Sequence, residues 1–223
     1  MRERQSRPAP YTVDAVLVTA MENELAILLV RNSGDRERWS LPWRIPQSGE
    51  PLAAAAGTTA KDALGEVPSW MEQIGAFGDG KRHPSETDVS VAYLGLASRE
   101  TASPRAGHTW FRVADLPLLA PRQRAMVEGA TKTLQSSLDQ APVAFRLLPA
   151  AFTLGELQQM YELLMGKRLH KASFRRALQA AWLVEPMDEW RSEGRGRPAQ
   201  LFRYLPKKRR KTHRGLRLDF LYP

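Results

Sequence analysis

Residues 152–204, FTLGELQQMYELLMGKRLHKASFRRALQAAWLVEPMDEWRSEGRGRPAQLFRY, decide how the chain is read, and they predict two helices followed by a basic hairpin. Thr153 and Glu156 stand at capping-box spacing, with Phe152 and Leu157 placed as the hydrophobic staple across the same helix start. Leu154, Leu157, Met160, Tyr161 and Leu164 recur with a helical period, and Gly166 is placed to end that helix. In the next run Phe174, Ala177, Leu178 and Ala181 form one apolar face, while Ala172, Arg175, Arg176 and Gln179 share the opposite arc.

A helix face that is small, cationic and amide-bearing suits a DNA groove. Arginine and glutamine make paired hydrogen bonds to guanine and adenine edges, and a small residue permits close approach. Residues 183–190 and 200–205 then read as strands joined by a turn-rich segment, 191–198, which sets Arg191, Arg195 and Arg197 among glycines. The outline is a winged helix-turn-helix, with 171–181 as recognition helix and the arginine turn as wing. The DNA-contacting residues predicted from it are Lys171, Ala172, Arg175, Arg176 and Gln179 on the helix, and Arg191, Arg195 and Arg197 in the turn. Lys207 and Lys208 of the tail join them. Periodicity alone is equally compatible with an ordinary helical pair bearing a solvated charged face, so charge has to discriminate.

The 33 lysines and arginines exceed the 24 acids by 9, and the excess is not spread evenly. From Phe152 onward 16 basic residues face 7 acidic ones, a balance of +9, whereas residues 1–151 hold 17 of each sign. The whole surplus sits in the segment read as a DNA module, as a polyanionic partner requires. A basic surface serving only solubility would spread it. The absence of cysteine excludes a disulfide framework and thiolate metal sites. The start MRERQSRPAP has no signal-peptide pattern, and no apolar run approaches membrane-spanning length, so a cytoplasmic protein with no membrane partner is expected.

Upstream, residues 11–18 and 25–30 are apolar strands separated by MENE, 31–38 is a polar loop, and 39–47 is punctuated by Pro42 and Pro46. The alanine-rich run 52–64 predicts a helix that Gly65 closes, and 70–77, 89–97 and 109–113 read as further strands. The pattern gives an α+β fold with an α/β/α sandwich of about 110 residues, followed by the winged module. Helical patterning returns over 122–138, and 142–149 holds a short apolar helix. The expected divisions are a flexible start (1–10), the α+β domain (11–118), a linker helix (119–141), the winged helix-turn-helix (142–205) and a basic tail (206–223).

Within the first domain, LPWRIPQSGE resembles the LPGG-x5-GE approach to the Nudix box, with Leu41, Pro42, Gly49, Glu50 and Gly65 in register. The box glutamates of Nudix hydrolases hold Mg²⁺, a hard cation that needs oxygen ligands. Here the R-E-U-x-E-E positions carry Thr58, Thr59, Ala60, Lys61, Asp62 and Ala63, and the paired glycines are Trp43 and Arg44. Two glutamates are absent, so no catalytic residue, metal site or cofactor is assigned. The full span 11–205 is similar to the Nudix-related transcriptional regulators, through FTLGELQQMYELLMGK, FRRAL, GRPAQLFRY, VSVAYLGL and the WF-x5-LP segment at 110–117.

That resemblance implies a homodimeric repressor that binds a palindromic double-stranded operator. It also implies a catalytically inactive Nudix domain sensing a nucleotide- or sugar-phosphate-type effector such as ADP-ribose, linked to NAD metabolism. Arg44 and Arg82 are then the cations nearest the effector, and Trp39 or Trp43 could stack on its base. The alternatives are a Nudix-type pyrophosphohydrolase with an appended nucleic-acid-binding module, or a first domain that is purely a dimerisation scaffold.

Overall fold

The computed structural model describes residues 11–32, 38–78, 80–85, 87–98, 100–138, 142–192 and 198–206. The chain divides into two compact units, residues 1–133 and 134–223.

The first unit is built on a mixed sheet. β1 (Tyr11–Met21) and β2 (Glu24–Asn32) form an antiparallel hairpin. The polar MENE supplies its turn, where Glu22 and Asn23 both take positive φ, 50° and 63°. Two successive left-handed residues match the right-handed twist of the strands they join. β3 (Arg38–Ser40) and β4 (Trp43–Arg44) follow, then α1 (Leu52–Leu64), β5 (Trp70–Phe77), β6 (Val89–Leu96) and β7 (His108–Arg112). The sheet order is β3-β2-β1-β6-β5, with β4 paired to β1 and β7 to β2. The stretch 39–47, marked in sequence only by its prolines, thus contributes to two short strands; β3 pairs with the neighbouring β2, and the partner of β4, in β1, is remote in sequence and leaves no local pattern.

β1 is buried from Thr12 through Thr19, which explains why it reads as continuously apolar rather than alternating. Its odd-numbered Val13, Ala15 and Leu17 pack in the clusters that hold α1 through Ala55, Ala56, Ala60 and Ala63. Alanines let the helix ride close to the strand. Gly95 of β6 answers the same need, since a Cβ there would sit 2.8 Å from Leu17 Cδ2. Gly65 closes α1 as expected, in the left-handed conformation with φ 87°. Tyr93 in β6 donates its hydroxyl to Gln73 Oε1 at 3.1 Å, and desolvation by burial raises its pKa above the ordinary 10.0. The even-numbered Thr12 and Asp14 open on the opposite face of β1. There α2 (Pro121–Ser136) begins, with proline at the first helical position, where its missing N–H costs nothing.

The second unit contains α3 (Val143–Leu147), β8 (Phe152–Thr153), α4 (Leu154–Met165), α5 (Lys171–Ala181), β9 (Val184–Arg191) and β10 (Ala199–Tyr204), with strand order β8-β10-β9. The capping box predicted at Thr153 forms. Thr153 Oγ1 accepts from the Glu156 amide at 3.1 Å, and Glu156 Oε2 accepts from the Thr153 amide at 2.6 Å. Gly166 ends α4 in the left-handed region. Phe152 and Thr153 also form β8, pairing with Phe202 and Leu201. The core is aromatic: Phe145 contacts Phe152, Tyr161 and Tyr204, and Tyr161 meets Phe174 of α5 edge-on at 5.5 Å. Among the described residues no helix is long and apolar enough to cross a membrane.

α5 ends on Trp182, a tryptophan in the left-handed region (φ 51°) that is 68% exposed. Glycine is the usual occupant of such a cap, because an L side chain there costs roughly 1–2 kcal/mol. The greater chain entropy of glycine when unfolded offsets part of that gain. Trp182→Gly should therefore raise stability by about 0.5–1 kcal/mol, read as a higher midpoint in urea. A lower midpoint would mean that contacts of the indole outweigh the backbone strain.

Candidate nucleic-acid interface and effector site

α5 buries Phe174, Ala177 and Leu178 and leaves Lys171, Ala172, Arg175, Arg176, Gln179 and Ala180 exposed, so the two arcs anticipated from the sequence are separated in space. Its three cations share the helix with no acidic residue, and they make no ion pair among the described residues. The turn before it is held by Glu162, whose Oε1 accepts from the Leu169 amide and from Gln158 Nε2, each at 2.9 Å. Gln158 Nε2 also reaches Leu169 O at 3.0 Å. The approach of α5 to α4 is thereby set by side chains of α4 itself. A rigid scaffold thus presents a cationic, small-residue face.

One predicted placement needs correction. Arg191 is not in the turn but is the last residue of β9, opposite Ala199. Its guanidinium bonds Glu156 Oε1 at 2.7 Å and Ala151 O at 3.0 Å, so it is engaged inside the unit. The reason is tertiary: Glu156, recruited in sequence terms only for the cap, has a second carboxylate oxygen facing the hairpin. Arg195, Arg197, Lys207 and Lys208 lie outside the described residues.

The tryptophan effector candidates sit on different strands. Trp39 in β3, beside β2, is half-buried and meets Phe111 of β7 edge-on at 4.8 Å. Trp43 and Arg44 lie on β4 against β1, and Trp43 meets the His83 ring edge-on at 5.3 Å. The segment carrying exposed Arg82 is thus brought beside Trp43. Arg44 Nη1 stands 3.7 Å from Glu50 Oε1.

Glu50 has further work. Its Oε2 accepts from the Gln47 amide at 2.8 Å and its own amide donates to Gln47 O at 3.0 Å, closing a turn that Gly49 completes with φ 80°. At the neighbouring box positions Thr58 and Thr59 return their hydroxyls to Ala54 O and Ala55 O of the same helix, at 3.0 and 2.9 Å. Ala63 is fully buried, and Asp62 is exposed. A divalent cation needs several oxygen ligands converging on one point. These residues do not fit one, and among the described residues no group of three His, Asp or Glu is placed to hold a metal.

Beside Trp43 lies a polar ring that the sequence reading missed. Arg122 Nη1 donates to Thr87 O (2.6 Å) and Ser90 Oγ (3.3 Å), and Ser90 meets Thr12 Oγ1 (2.7 Å). Thr12 Oγ1 also contacts Asp14 Oδ2 (2.7 Å), and Asp14 Oδ1 bonds His83 Nε2 (2.8 Å). His83 Nδ1 lies 2.6 Å from Ser85 Oγ, which reaches Thr87 Oγ1 at 2.8 Å and closes the ring. Because the Ser85 amide donates to Nδ1, the ring proton sits on Nε2 and is given to Asp14. Gln123 adds a bond to Asp14 Oδ1 at 3.2 Å, and its Oε1 accepts from the Leu41 amide at 3.1 Å. Asp14, His83, Arg122 and Gln123 are all buried. The ring ties the start of α2 to β1, β6, the Arg82 segment and the box approach. The signal available in sequence was Asp14 itself, a carboxylate in the middle of an apolar strand.

A mixed-sheet domain with a Nudix-like segment, followed by a winged helix with an exposed cationic face, is the arrangement of a DNA-binding regulator. A family model for the NrtR DNA-binding winged helix domain matches residues 144–204. The crystal structure of Shewanella oneidensis NrtR complexed with a 27mer DNA superposes with TM-score 0.78 at 30% identity, over 88% of this chain and 94% of that one. The NUDIX domain of the same protein, complexed with ADP ribose, matches with TM-score 0.50 at 25% identity over 60% of this chain and 94% of that one. The ADPR responsive transcriptional repressor NtrR of Acinetobacter baylyi is 29% identical over 91% of this chain and 85% of its own length. The chain belongs to the NrtR family of Nudix-related transcriptional regulators.

Proposed function

We propose that this protein is a ligand-responsive transcriptional repressor in which α5 reads double-stranded DNA and the first unit senses a nucleotide-type metabolite. The observation that carries the reading is the exposed Lys171, Arg175, Arg176 and Gln179 face, held on an aromatic core within the segment that matches a DNA-binding winged helix. ADP-ribose is the effector of choice, because a relative of known structure takes it in the corresponding domain. On this reading residues 11–118 form the effector and dimerisation domain, 119–141 the connection and 142–205 the DNA-binding domain. Trp43, Arg44 and Arg82 are its effector contacts. Two copies on a palindromic operator supply the contact area that a single recognition helix lacks. A cytoplasmic location follows from the role.

The first unit is expected to bind its effector without cleaving it. Glu50 is committed to Arg44 and the Gln47 amide, and of the three other carboxylate positions two hold Thr59 and Ala63 and the third the shorter Asp62. The test pairs two measurements on the full chain. ADP-ribose at about 100 times its Kd should stabilise the protein by about 2.7 kcal/mol against heat and should release it from operator DNA. Incubation with ADP-ribose and Mg²⁺ or Mn²⁺ should yield no product above background. Steady turnover abolished by Glu50→Gln would replace the repressor reading with that of a hydrolase carrying a nucleic-acid module.

A further inference from the structure

We propose that Arg191 is a positioning residue for DNA recognition, fixing the outer end of the β9–β10 hairpin against the N-terminus of α4 without touching DNA. The proposal rests on the DNA-binding reading above and adds to it a residue that acts through its neighbours.

The geometry is a closed triangle. Glu156 spends Oε2 on the Thr153 amide at 2.6 Å and Oε1 on Arg191 Nη1 at 2.7 Å. Arg191 Nη2 takes Ala151 O at 3.0 Å, one residue before β8. Thr153 in β8 pairs with Leu201 of β10, and Arg191 of β9 sits opposite Ala199 of the same strand. One carboxylate thus joins the helix cap to the last pair of the hairpin ladder. The planar guanidinium fork satisfies an oxygen on each side of the junction, a geometry that the point charge of lysine cannot reproduce. The β-bulge between Gln200 and Phe202 gives the ladder local freedom just inside this pair, so a tether at its outer end has something to restrain. Side-chain exposures of 34% for Arg191 and 28% for Glu156 place the pair at the edge of the unit, where holding a direction matters more than adding stability.

A phosphate contact and a positioning role make opposite demands on Glu156. If Arg191 held phosphate, removing the neighbouring carboxylate would leave binding unchanged or strengthen it. If Arg191 acts through Glu156, removing that carboxylate must weaken binding, although an acid cannot itself hold a phosphate. Glu156→Gln isolates this effect, because glutamine at the same position still completes a capping box.

The experiment uses the full chain and a duplex of about 30 base pairs, near three helical turns, selected by the parent from a random pool. Its scrambled counterpart is the control, and anisotropy is read across a salt series. Arg191→Met, Arg191→Lys and Glu156→Gln should each weaken binding to the selected duplex by about tenfold, and the Arg191→Met, Glu156→Gln double variant no further than the weaker single. The dependence of log affinity on log salt should keep the parent slope in all of them, since no phosphate contact is lost. Thermal unfolding checks each variant, and Arg191→Lys and Glu156→Gln carry the test if Arg191→Met does not fold. Glu156→Gln binding at least as tightly as the parent, or Arg191→Met flattening the salt slope, overturns the proposal, as does parental affinity in all variants. A parent that selects no duplex from the pool would instead overturn the DNA-binding reading.

Discussion

Asp14→Ala should lower the stability of the first unit by about 3–5 kcal/mol, and its melting temperature by on the order of 10 °C. Asp14 is fully buried and stands within hydrogen-bonding distance of three donors: Thr12 Oγ1 at 2.7 Å, His83 Nε2 at 2.8 Å and Gln123 Nε2 at 3.2 Å. Alanine leaves those groups buried with nothing to replace the carboxylate. Each orphaned donor costs roughly 1–3 kcal/mol, less where a neighbour turns to accept. Thr12 can turn, because Ser90 lies 2.7 Å from the same hydroxyl, but a proton on His83 Nε2 loses its ring acceptor and is rehoused only by a tautomer change toward Ser85 Oγ, which displaces the Ser85 amide bond. The loss also leaves the Arg122 guanidinium buried without the ring's one carboxylate. Asp14→Asn keeps the volume and one acceptor oxygen, so its loss should be smaller, roughly 1–2 kcal/mol. The readout is the melting curve followed by tryptophan fluorescence, since Trp43 packs on His83. Parental melting of Asp14→Ala would mean that the ring is not a structural element of this domain.

The second large effect concerns recognition. Replacing both Arg175 and Arg176 by alanine should leave the fold intact, because both lie on the exposed arc opposite Phe174 and Leu178. A bidentate arginine on a base edge is worth roughly 1–3 kcal/mol of discrimination. If both make such contacts and add, the double variant loses about 2–6 kcal/mol of preference for operator over scrambled DNA. Deleting Lys207 to Lys211 should act differently. That run, KKRRK, carries no helix or strand pattern in sequence, so it can meet only phosphate. Its loss should weaken all sequences alike and flatten the salt dependence, because fewer counterions are released. A salt titration of both variants on both duplexes decides the matter. The assignment of α5 as the reading helix fails if the double variant keeps the parent's specificity while the tail deletion changes it.

The sequence by itself determined the elements whose causes are local. The α4 cap needs only Thr153 and Glu156 three residues apart, its end needs only Gly166, and the two arcs of α5 follow from the helical period, so all were legible in one dimension. The register of Gly49, Glu50 and Gly65 identified the Nudix-like segment, and the substitution of its carboxylates was visible in the same few residues. Tertiary structure decided what depends on partners distant in the chain. β4 and β8 are two residues long and exist only because a strand remote in sequence lies beside them. Asp14, His83 and Gln123 meet across 69 and 109 positions, and nothing in the spacing of single polar residues announces a shared site. Trp39 meets Phe111 while Trp43 meets His83 of the polar ring, a difference set by which strand each occupies. Arg191 sits elsewhere than its sequence suggests for the same reason. As one cation among several near a glycine-rich turn it reads as a phosphate contact, and only the fold sets a carboxylate 2.7 Å away to claim it. Local sequence specifies which groups a segment can offer, but the free energy of an exposed charge is nearly indifferent to its surroundings until folding places a counter-charge within reach.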